Sequence, residues 1–289
     1  MAGLKEVRER ITSIGSTMQI TSAMKMVSAA KLKRAQDAIT RMRPYASKLS
    51  EILANLSASL DSSEGGDFST ERPIEKVLIV AISSNRGLCG GFNSNVNKQV
   101  LSLASGVYAG KQIDILSIGK KSAEFLARRE FNVIERNDSV YDDLTFDVIA
   151  PIAQSIMEAF VEEKYDRVDV IYNQFKNAAT QLCIAEQFLP VAQPEATEKT
   201  TSTDYIFEPA KEEIVLDLVP RSLKTQLYKA TLDSHASEHG ARMTAMHKAT
   251  DNASDLLKEL KLSYNKARQA AITNEILEIV GGAAALEEG

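Results

Sequence analysis

The first sixty residues carry apolar side chains at intervals that alternate between three and four residues. Fourteen of the seventeen positions with this spacing are apolar. Such a repeat places one apolar seam along a helix and is typical of a coiled coil. We therefore predict a long N-terminal helix over residues 1–60, kinked at Pro44, where the ring would free the carbonyl of Thr40. The seam positions are Leu4, Val7, Ile11, Ile14, Met18, Thr21, Lys25, Ser28, Leu32, Ala35, Ile39, Met42, Ala46, Leu49, Leu53, Leu56 and Leu60.

The seam is interrupted once, where three consecutive positions, Thr21, Lys25 and Ser28, are polar. One interpretation is that these residues fix the register of the coil, as polar seam residues can. The other is that this stretch faces a second partner, because Met24 and Met26 lie beside the seam there. The pattern alone favours neither interpretation.

The middle of the chain alternates between strand-like and helix-like patterns. Residues 61–72 are rich in Ser, Gly and charged residues, which predicts a linker. Val77–Ile82 is a continuous apolar run, as in a strand buried on both faces. This alternation predicts an α/β domain over residues 73–208 with a parallel sheet, a candidate hairpin at its last two strands and an exposed loop at 193–204. The predicted strands are 77–82, 113–118, 131–134, 168–175 and 182–188, and the predicted helices are 93–104, 120–129 and 144–164.

The chain returns to a helical pattern near residue 209 and keeps it to residue 289. Pro220 is expected to interrupt this C-terminal helix. Long helices at both ends of the chain predict an antiparallel coiled coil, with a Rossmann-like α/β domain between them. The candidate seam residues of the C-terminal helix are Ala230, Ser234, Ser237, Ala241, Ala245, Ala249, Ala253, Leu256, Leu260, Tyr264 and Ala267.

Chain closure predicts which residues of the two helices face each other. If the helices leave the domain near residues 60 and 212, the numbers of two facing residues add to about 272. Leu4 then lies opposite about residue 268, and the C-terminal helix continues alone for about 20 residues, or about 30 Å. The same register brings Met24 towards Met246 and Lys25 towards Asp251.

Composition and charge exclude several classes of protein. Apolar residues make up 44% of the chain and charged residues 25%, which is typical of a folded domain and not of a disordered chain. Cys89 and Cys183 are too few for a disulfide framework, and the longest apolar run is too short for a membrane-spanning helix. Residues 1–60 carry ten Lys/Arg and only four Asp/Glu. The cationic run there has no interleaved aromatic residue before Tyr45, which argues against nucleic acid and favours a solvated face or an acidic partner.

Two short motifs carry candidate chemistry. His235-Ala236-Ser237-Glu238-His239 matches the H-x-x-E-H string of some zinc hydrolases, and its alternative is a pair of surface histidines on a coil. Ser83–Asn93 follows a buried strand and precedes a helix, where phosphate-binding loops lie, but it lacks their glycine spacing and their lysine. Cys89 in this loop is a candidate nucleophile with no base beside it in sequence. The alternative for the loop is a structural strand-to-helix turn.

Three segments of the chain resemble one family. They are Ile20–Leu32 (ITSAMKMVSAAKL), Ser84–Gly91 (SNRGLCGG) and Tyr264–Ala283 (YNKARQAAITNEILEIVGGA). Their order and spacing are similar to those of the gamma subunit of the F-type ATP synthase, and the resemblance covers the whole chain. Asn85 departs from the pattern, because that family commonly has Asp there.

The resemblance implies a rotor shaft that performs no bond chemistry and needs no cofactor. In that family the two terminal helices lie inside a ring of three alpha and three beta subunits. The α/β domain lies on the c-ring of the membrane sector, beside the epsilon subunit, and each complex holds one shaft. Proton flow turns the c-ring and the shaft, which changes the conformation of each beta subunit in turn. The implied beta-subunit contacts are Met24, Lys33, Arg34, Arg86, Arg268, Gln269, Thr273 and Glu275.

The resemblance also implies a location, and two rival classes stay open beside it. The missing presequence before Met1 favours a bacterial protein, peripheral on the cytoplasmic face of the inner membrane. The rivals are an enzyme with a nucleotide site at Gly87–Gly91 and a coiled-coil adaptor with no motor role. Nucleotide binding by the chain alone would favour the enzyme, and failure to co-purify with alpha and beta subunits would favour the adaptor.

Overall fold

A computed structural model of the protein describes residues 4–57, 67–191 and 211–287. The chain divides into two compact units, which we call the helix-pair unit (Met1–Val27 with Met243–Gly289) and the sheet unit (Ser28–Arg242). Both long helices contribute to both units. The helices are α1 (Leu4–Ser57), α2 (Phe92–Ser105), α3 (Lys120–Ala127), α4 (Phe146–Val161) and α5 (Lys211–Glu287). The strands are β1 (Lys76–Ile82), β2 (Gln112–Ile118), β3 (Asn132–Arg136), β4 (Arg167–Phe175) and β5 (Gln181–Leu189).

The sheet unit is built on one five-stranded sheet with the order β3-β2-β1-β4-β5. The first four strands pair in parallel, and β5 returns antiparallel to β4. The predicted parallel sheet and the candidate hairpin are therefore confirmed. β1 lies at the centre of the sheet, and Val77–Ile82 is buried on both faces because helices cover both sides.

Each face of the sheet has its own apolar core. On one face, Val77, Ile79 and Ala81 of β1 belong to a cluster with Val96 and Val100 of α2. Leu126 of α3 extends that cluster. On the other face, alternate residues of β1 pack in a cluster to which α4 and α5 contribute. The α4 and α5 members of this second cluster are Ile149, Ile152, Ala153, Ile156, Met157, Phe160, Val219, Leu223, Leu227 and Ala230.

Helix α5 runs without interruption from Lys211 to Glu287, with Pro220 inside it. The expectation that Pro220 interrupts this helix was therefore wrong. Proline removes one helical hydrogen bond, but its neighbours Val219 and Leu223 are buried in the sheet core and hold the helix in place. α1 likewise continues past Pro44 to Ser57, and the kink there stays a prediction.

The helix-pair unit contains an antiparallel seam between α1 and α5. Thr250 Oγ1 donates a hydrogen bond to Thr21 Oγ1 at 2.8 Å, and Lys25 Nζ lies 3.4 Å from His247 Nδ1. The numbers of these facing residues add to 271 and 272, which confirms the predicted register. Every seam position of α1 in this unit is buried or half-buried. On α5 the same holds at 246, 250, 253, 257, 260, 264, 267 and 271, a spacing of alternating fours and threes.

One seam residue of α5 was predicted wrongly. Leu256 is 42% exposed, and its neighbour Leu257 is half-buried in its place. The reason is the phase of the heptad repeat. Seam positions on α5 advance by four and three residues in turn, so the three-residue step from Thr250 to Ala253 must be followed by a four-residue step to Leu257 and not by a step to Leu256.

The C-terminal part of α5 has no covering helix in the helix-pair unit. From Ile272 to Ala283 every residue is exposed. This agrees with the predicted extension of α5 beyond the end of α1. Within the described residues, no helix is both long enough and apolar enough to cross a bilayer.

Some predicted features lie outside the described residues. They are seam residue Leu60, linker residues 61–66, the loop at 193–204 and residues 288–289 of the predicted C-terminal helix. The four-part division at residues 60, 72 and 208 stays a prediction.

We expect Gly119→Ala to destabilise the fold by more than about 3 kcal/mol, because two costs add. Gly119 has φ +100, and an added Cβ would collide with the carbonyl oxygen of Ser83. Gly87→Ala is the matched control, because an added Cβ there meets nothing within 4 Å. Chemical denaturation of both variants measures the difference, and equal midpoints would contradict the close packing at Gly119.

Candidate partner-binding surfaces

The first two residues of the polar break in the α1 seam face the other helix of the helix-pair unit. Thr21 is buried against Thr250, and Lys25 approaches His247, which itself pairs with Asp251 at 3.3 Å. These contacts support the register interpretation of Thr21 and Lys25. Lys25 was predicted near Asp251, and His247 lies between the two.

Apolar side chains beside this break are exposed. Ile20, Met26 and Val27 are 60%, 65% and 58% exposed, and Met24 is half-buried. The two interpretations of this stretch are therefore compatible, since the polar residues face α5 while an apolar surface remains on α1. A cluster of this kind on a helix is a candidate contact surface for another protein.

The uncovered end of α5 combines polar and apolar exposed residues. Arg268, Gln269, Thr273 and Glu275 are all exposed, and Thr273 Oγ1 donates to the carbonyl of Gln269 at 2.9 Å. The large apolar residues there are also exposed, at 47–71%: Ile272, Ile276, Leu277, Ile279 and Val280. At about 100° per residue these five side chains fall within an arc of about 160° around the helix, so they form one broad apolar stripe. An uncovered stripe of this kind indicates a partner that packs along it.

Five basic residues of α1 in the sheet unit, which we call the basic set, are exposed. Lys33 pairs with Asp37 at 3.0 Å, and both side chains are largely in solvent. The other members, Lys31, Arg34, Arg41 and Arg43, are exposed as well. Such charges act weakly one by one and are screened by salt.

The Gly-rich loop Ser83–Asn93 is a closed strand-to-helix turn. Ser84 N–H and its hydroxyl both donate to Asn93 Oδ1 at 3.0 Å. Asn85 links the turn to the start of α3 and to Asp138, because its Oδ1 accepts from Lys120 N at 3.0 Å and its Nδ2 donates to Asp138 O at 2.7 Å. Leu88 at the outer edge has φ +62 and is 67% exposed. These bonds account for the turn as a structural element.

The turn does not show the features of a nucleotide or nucleophile site. Its Arg86 and Gly87 carbonyl oxygens accept hydrogen bonds from Arg242 Nη2 at 2.9 and 3.3 Å. Carbonyl oxygens attract cations, whereas a phosphate cradle presents N–H groups. Cys89 is buried, and burial raises the pKa of its thiol, which disfavours the thiolate that a nucleophile needs.

The H-x-x-E-H motif lies in the interior of the sheet unit and not on the surface. His235 Nε2 and His239 Nε2 are 3.1 Å apart, and the Tyr141 ring stacks on His235 at 5.7 Å. Burial lowers the pKa of His235 to about 4 and that of His239 to about 3. Glu238 is paired with Arg242 at 2.6 Å. Among the described residues, no three His, Cys, Asp or Glu side chains are grouped so that they could hold a metal ion.

Sequence reasoning missed Arg242, which joins the motif to the Gly-rich turn. A signal was present, because Glu238 and Arg242 are four residues apart and such pairs face each other on a helix. The predicted contact residues are distributed over both units: Met24, Arg268, Gln269, Thr273 and Glu275 lie in the helix-pair unit, and Lys33, Arg34 and Arg86 lie in the sheet unit.

Comparisons with known proteins agree on one family. A family model described as ATP synthase matches residues 3–286. The chain is 66% identical to the ATP synthase gamma chain of Flavobacterium psychrophilum, over 99% of this chain and 100% of that one. It is 52% identical to the ATP synthase gamma chain of Cytophaga hutchinsonii, over 99% of both chains.

Solved structures give the same result. A chain from the central stalk and c-ring of the Tetrahymena thermophila mitochondrial ATP synthase is 29% identical, with TM-score 0.61, over 80% of this chain and 99% of that one. A chain of the Euglena gracilis mitochondrial ATP synthase has TM-score 0.69 at 21% identity, over 99% and 95%, and shows the shared fold.

We expect the buried histidine pair to make the fold less stable as the pH falls from about 6.5 to about 4. In this window the unfolded chain binds protons that folded His235 and His239 exclude, at a slope of up to about 1.4 kcal/mol per pH unit for each histidine. His235→Gln/His239→Gln should flatten the pH dependence of the free energy of unfolding over this window. Parallel curves for the wild type and the double variant would show that the pair does not titrate as described.

Proposed function

The chain belongs to the ATP synthase gamma-chain family, and from that premise we propose how it acts as the central-stalk rotor of its complex. The helix-pair unit is the shaft that enters a ring of three alpha and three beta subunits. The α/β domain of the sheet unit binds the c-ring and the epsilon subunit, and one copy serves each complex. The uncovered end of α5 is the observation that carries the proposal, because its exposed apolar stripe needs a partner to cover it.

The coupling follows from symmetry. One shaft with two unequal helices cannot contact three identical beta subunits in the same way. Each beta subunit is therefore held in a different conformation, with a different affinity for nucleotide. A third of a turn exchanges these states, so that rotation driven by proton flow through the c-ring becomes ATP synthesis. The shaft acts by differential contact energy, as any conformational coupling must, and it is not itself catalytic.

Residues of the helix-pair unit supply the upper contacts with beta. Four exposed polar residues on the uncovered part of α5 can pair with a polar loop of beta. They are Arg268 with a forked guanidinium donor, Gln269 with an amide, Thr273 with a hydroxyl and Glu275 with a carboxylate. Met24 is half-buried beside exposed apolar neighbours on α1. It offers a flexible apolar contact that can adapt to each beta subunit in turn.

Residues of the sheet unit supply weak electrostatic contacts. Lys33, Arg34 and Arg86 are exposed and face acidic loops at the lower rim of beta in this proposal. Each contact is remade three times in a turn, so each must be weak, about 0–1 kcal/mol. Strong pairs would hold the rotor at one angle.

The location follows from the complex. A subunit of this family that has no membrane-spanning helix in its described residues associates peripherally with a membrane complex. The two gamma chains named above, at 66% and 52% identity, are bacterial, which supports the cytoplasmic face of the bacterial inner membrane. The proposed division of labour is a shaft helix at 1–60, a linker at 61–72, an α/β domain at 73–208 and a second shaft helix at 209–289.

Reconstitution tests this function. Alpha and beta subunits are purified and assayed for ATPase activity with and without the chain. We expect a defined complex and a marked rise in turnover only when the chain is present. A chain shortened before Ile272 removes the uncovered apolar segment, and we expect it to bind less tightly. ATP binding by the chain alone, or no association with alpha and beta, would contradict the proposal and favour one of the rival classes.

We expect Met24→Lys to uncouple rotation from proton transport. A new cation enclosed between shaft and beta would form an ion pair of about 1.4 kcal/mol or more, stronger than the exposed pairs of the sheet unit, so we expect about a tenfold loss of coupling. ATP-driven proton pumping, divided by ATPase rate in the same membranes, measures it. Met24→Leu, which keeps the volume and adds no charge, is the control. Normal pumping in Met24→Lys would remove Met24 from the contact.

We expect the exposed cations to act collectively and in a salt-dependent way. Arg86→Ala or Lys33→Ala should keep the fold and change turnover by about fivefold at most, since each contact contributes about 0–1 kcal/mol. Neutralising the basic set together with Arg86 should weaken assembly with alpha and beta, relative to the wild type, most at low salt, where the wild-type attraction is least screened. An equal deficit relative to the wild type at low and high ionic strength would show that these charges only solvate the surface. The neutralised residues are Lys31, Lys33, Arg34, Arg41, Arg43 and Arg86.

A further inference from the structure

One buried guanidinium joins the long C-terminal helix to the Gly-rich turn in the sheet unit. Arg242 is 7% exposed. Its Nη1 donates to Glu238 Oε1 at 2.6 Å on the same helix. Its Nη2 donates to two backbone carbonyls of the turn, Arg86 O at 2.9 Å and Gly87 O at 3.3 Å. The planar fork of arginine therefore contacts the helix with one arm and the turn with the other.

A second attachment holds the start of the same turn. Tyr141 donates its hydroxyl to the carbonyl of Ser83 at 2.8 Å. Its ring stacks on His235 of α5 with an angle of 18° between the rings. The first half of the turn is thus tied to α5 at two points, through Tyr141 at Ser83 and through Arg242 at Arg86 and Gly87.

The outer side of the turn is free while its inner backbone is fixed. Arg86 and Leu88 point their side chains to solvent, and Leu88 is 67% exposed. The carbonyl of Arg86 accepts from Arg242, so the backbone of the proposed contact residue is itself held. A side chain on a pre-organised backbone loses less entropy when it binds than one on a mobile loop.

We propose that Arg242 is a positioning residue that holds the Gly-rich turn on α5 and so fixes where Arg86 meets the partner subunit. The inference rests on the proposed contact of Arg86 with beta. Glu238 is the required companion, because a buried guanidinium without a carboxylate would be strongly disfavoured. Lysine cannot replace Arg242, since one ammonium group cannot donate from two separated arms to Glu238 and to both carbonyls.

The first test measures the turn in the full chain, without any partner. We expect Arg242→Lys to raise amide hydrogen exchange over residues 85–91 by about tenfold or more, because the carbonyl contacts that limit local opening are lost. Arg86→Ala should leave exchange there unchanged, since it keeps the backbone carbonyl. Arg221→Lys is the matched control, because Arg221 pairs with Asp217 four residues away at 3.5 Å but is exposed. Unchanged exchange in Arg242→Lys would overturn the proposal.

The second test is a double-mutant cycle on binding to the alpha–beta ring at low salt. If Arg242 acts through Arg86, then Arg242→Lys and Arg86→Ala should each weaken binding, and the double variant should be no weaker than the weaker single variant. If the fold-loss of affinity in the double variant equals the product of the two single-variant losses, Arg242 acts independently of Arg86. That result would overturn the inference while leaving the proposed function intact.

Other outcomes are equally decisive. If Arg86→Ala leaves the affinity unchanged, the Arg86 contact of the proposed function fails, and the positioning role fails with it. If Arg242→Lys does not fold, Tyr141→Phe takes its place, since it removes only the hydroxyl bond to Ser83 and keeps the ring stack on His235. We then expect a smaller rise in exchange, confined to the start of the turn, and no rise would overturn the two-point attachment.

Discussion

The sheet unit depends on the burial of one stretch of α5. From Ala230 to Gly240 nearly every residue of this helix is buried, although a helix on the surface of a domain normally exposes half of its side chains. Small residues make this possible, because Ala236, Ser234 and Ser237 let neighbouring elements approach the helix axis. A Cβ at Gly240 would lie 3.2 Å from the carbonyl oxygen of Ala178, so even one methyl group would press on the β4–β5 turn.

Burial on all sides sets the chemistry of the polar residues in this stretch. A charge that enters such a helix must be paired within it or against its neighbours. Glu238 and Arg242 satisfy each other, and the second arm of Arg242 uses backbone carbonyls of the Gly-rich turn. His235 and His239 stay neutral because burial lowers their pKa values. The H-x-x-E-H string thus lies in the packed interior of the sheet unit, and in the proposed rotor it forms a rigid attachment between α5 and the turn.

Much of this fold could be predicted from the spacing of apolar residues. The α1 seam is a long heptad repeat, so its buried positions and the facing residues on α5 followed from periodicity and chain closure, as the Thr21–Thr250 contact shows. It was harder to predict which residues of α5 face α1. A run of Ala and Ser precedes the leucines, and either of the two adjacent leucines, Leu256 or Leu257, could occupy the next seam position. The Arg242 contact joins residues 156 positions apart, and nothing local in the sequence indicates which carbonyls a buried arginine will find. Pro220 was misjudged because tertiary packing outweighs the loss of a single helical hydrogen bond.

The central claim is that this chain turns inside its complex. A probe attached through Val107→Cys, at a position that is 72% exposed in the sheet unit, can report the angle of the chain in an alpha–beta complex fixed to a surface. The account predicts that added ATP drives rotation in one direction, with pauses at each third of a turn, and that the probe is stationary without ATP. A stationary probe in complexes that hydrolyse ATP at the full rate would contradict it.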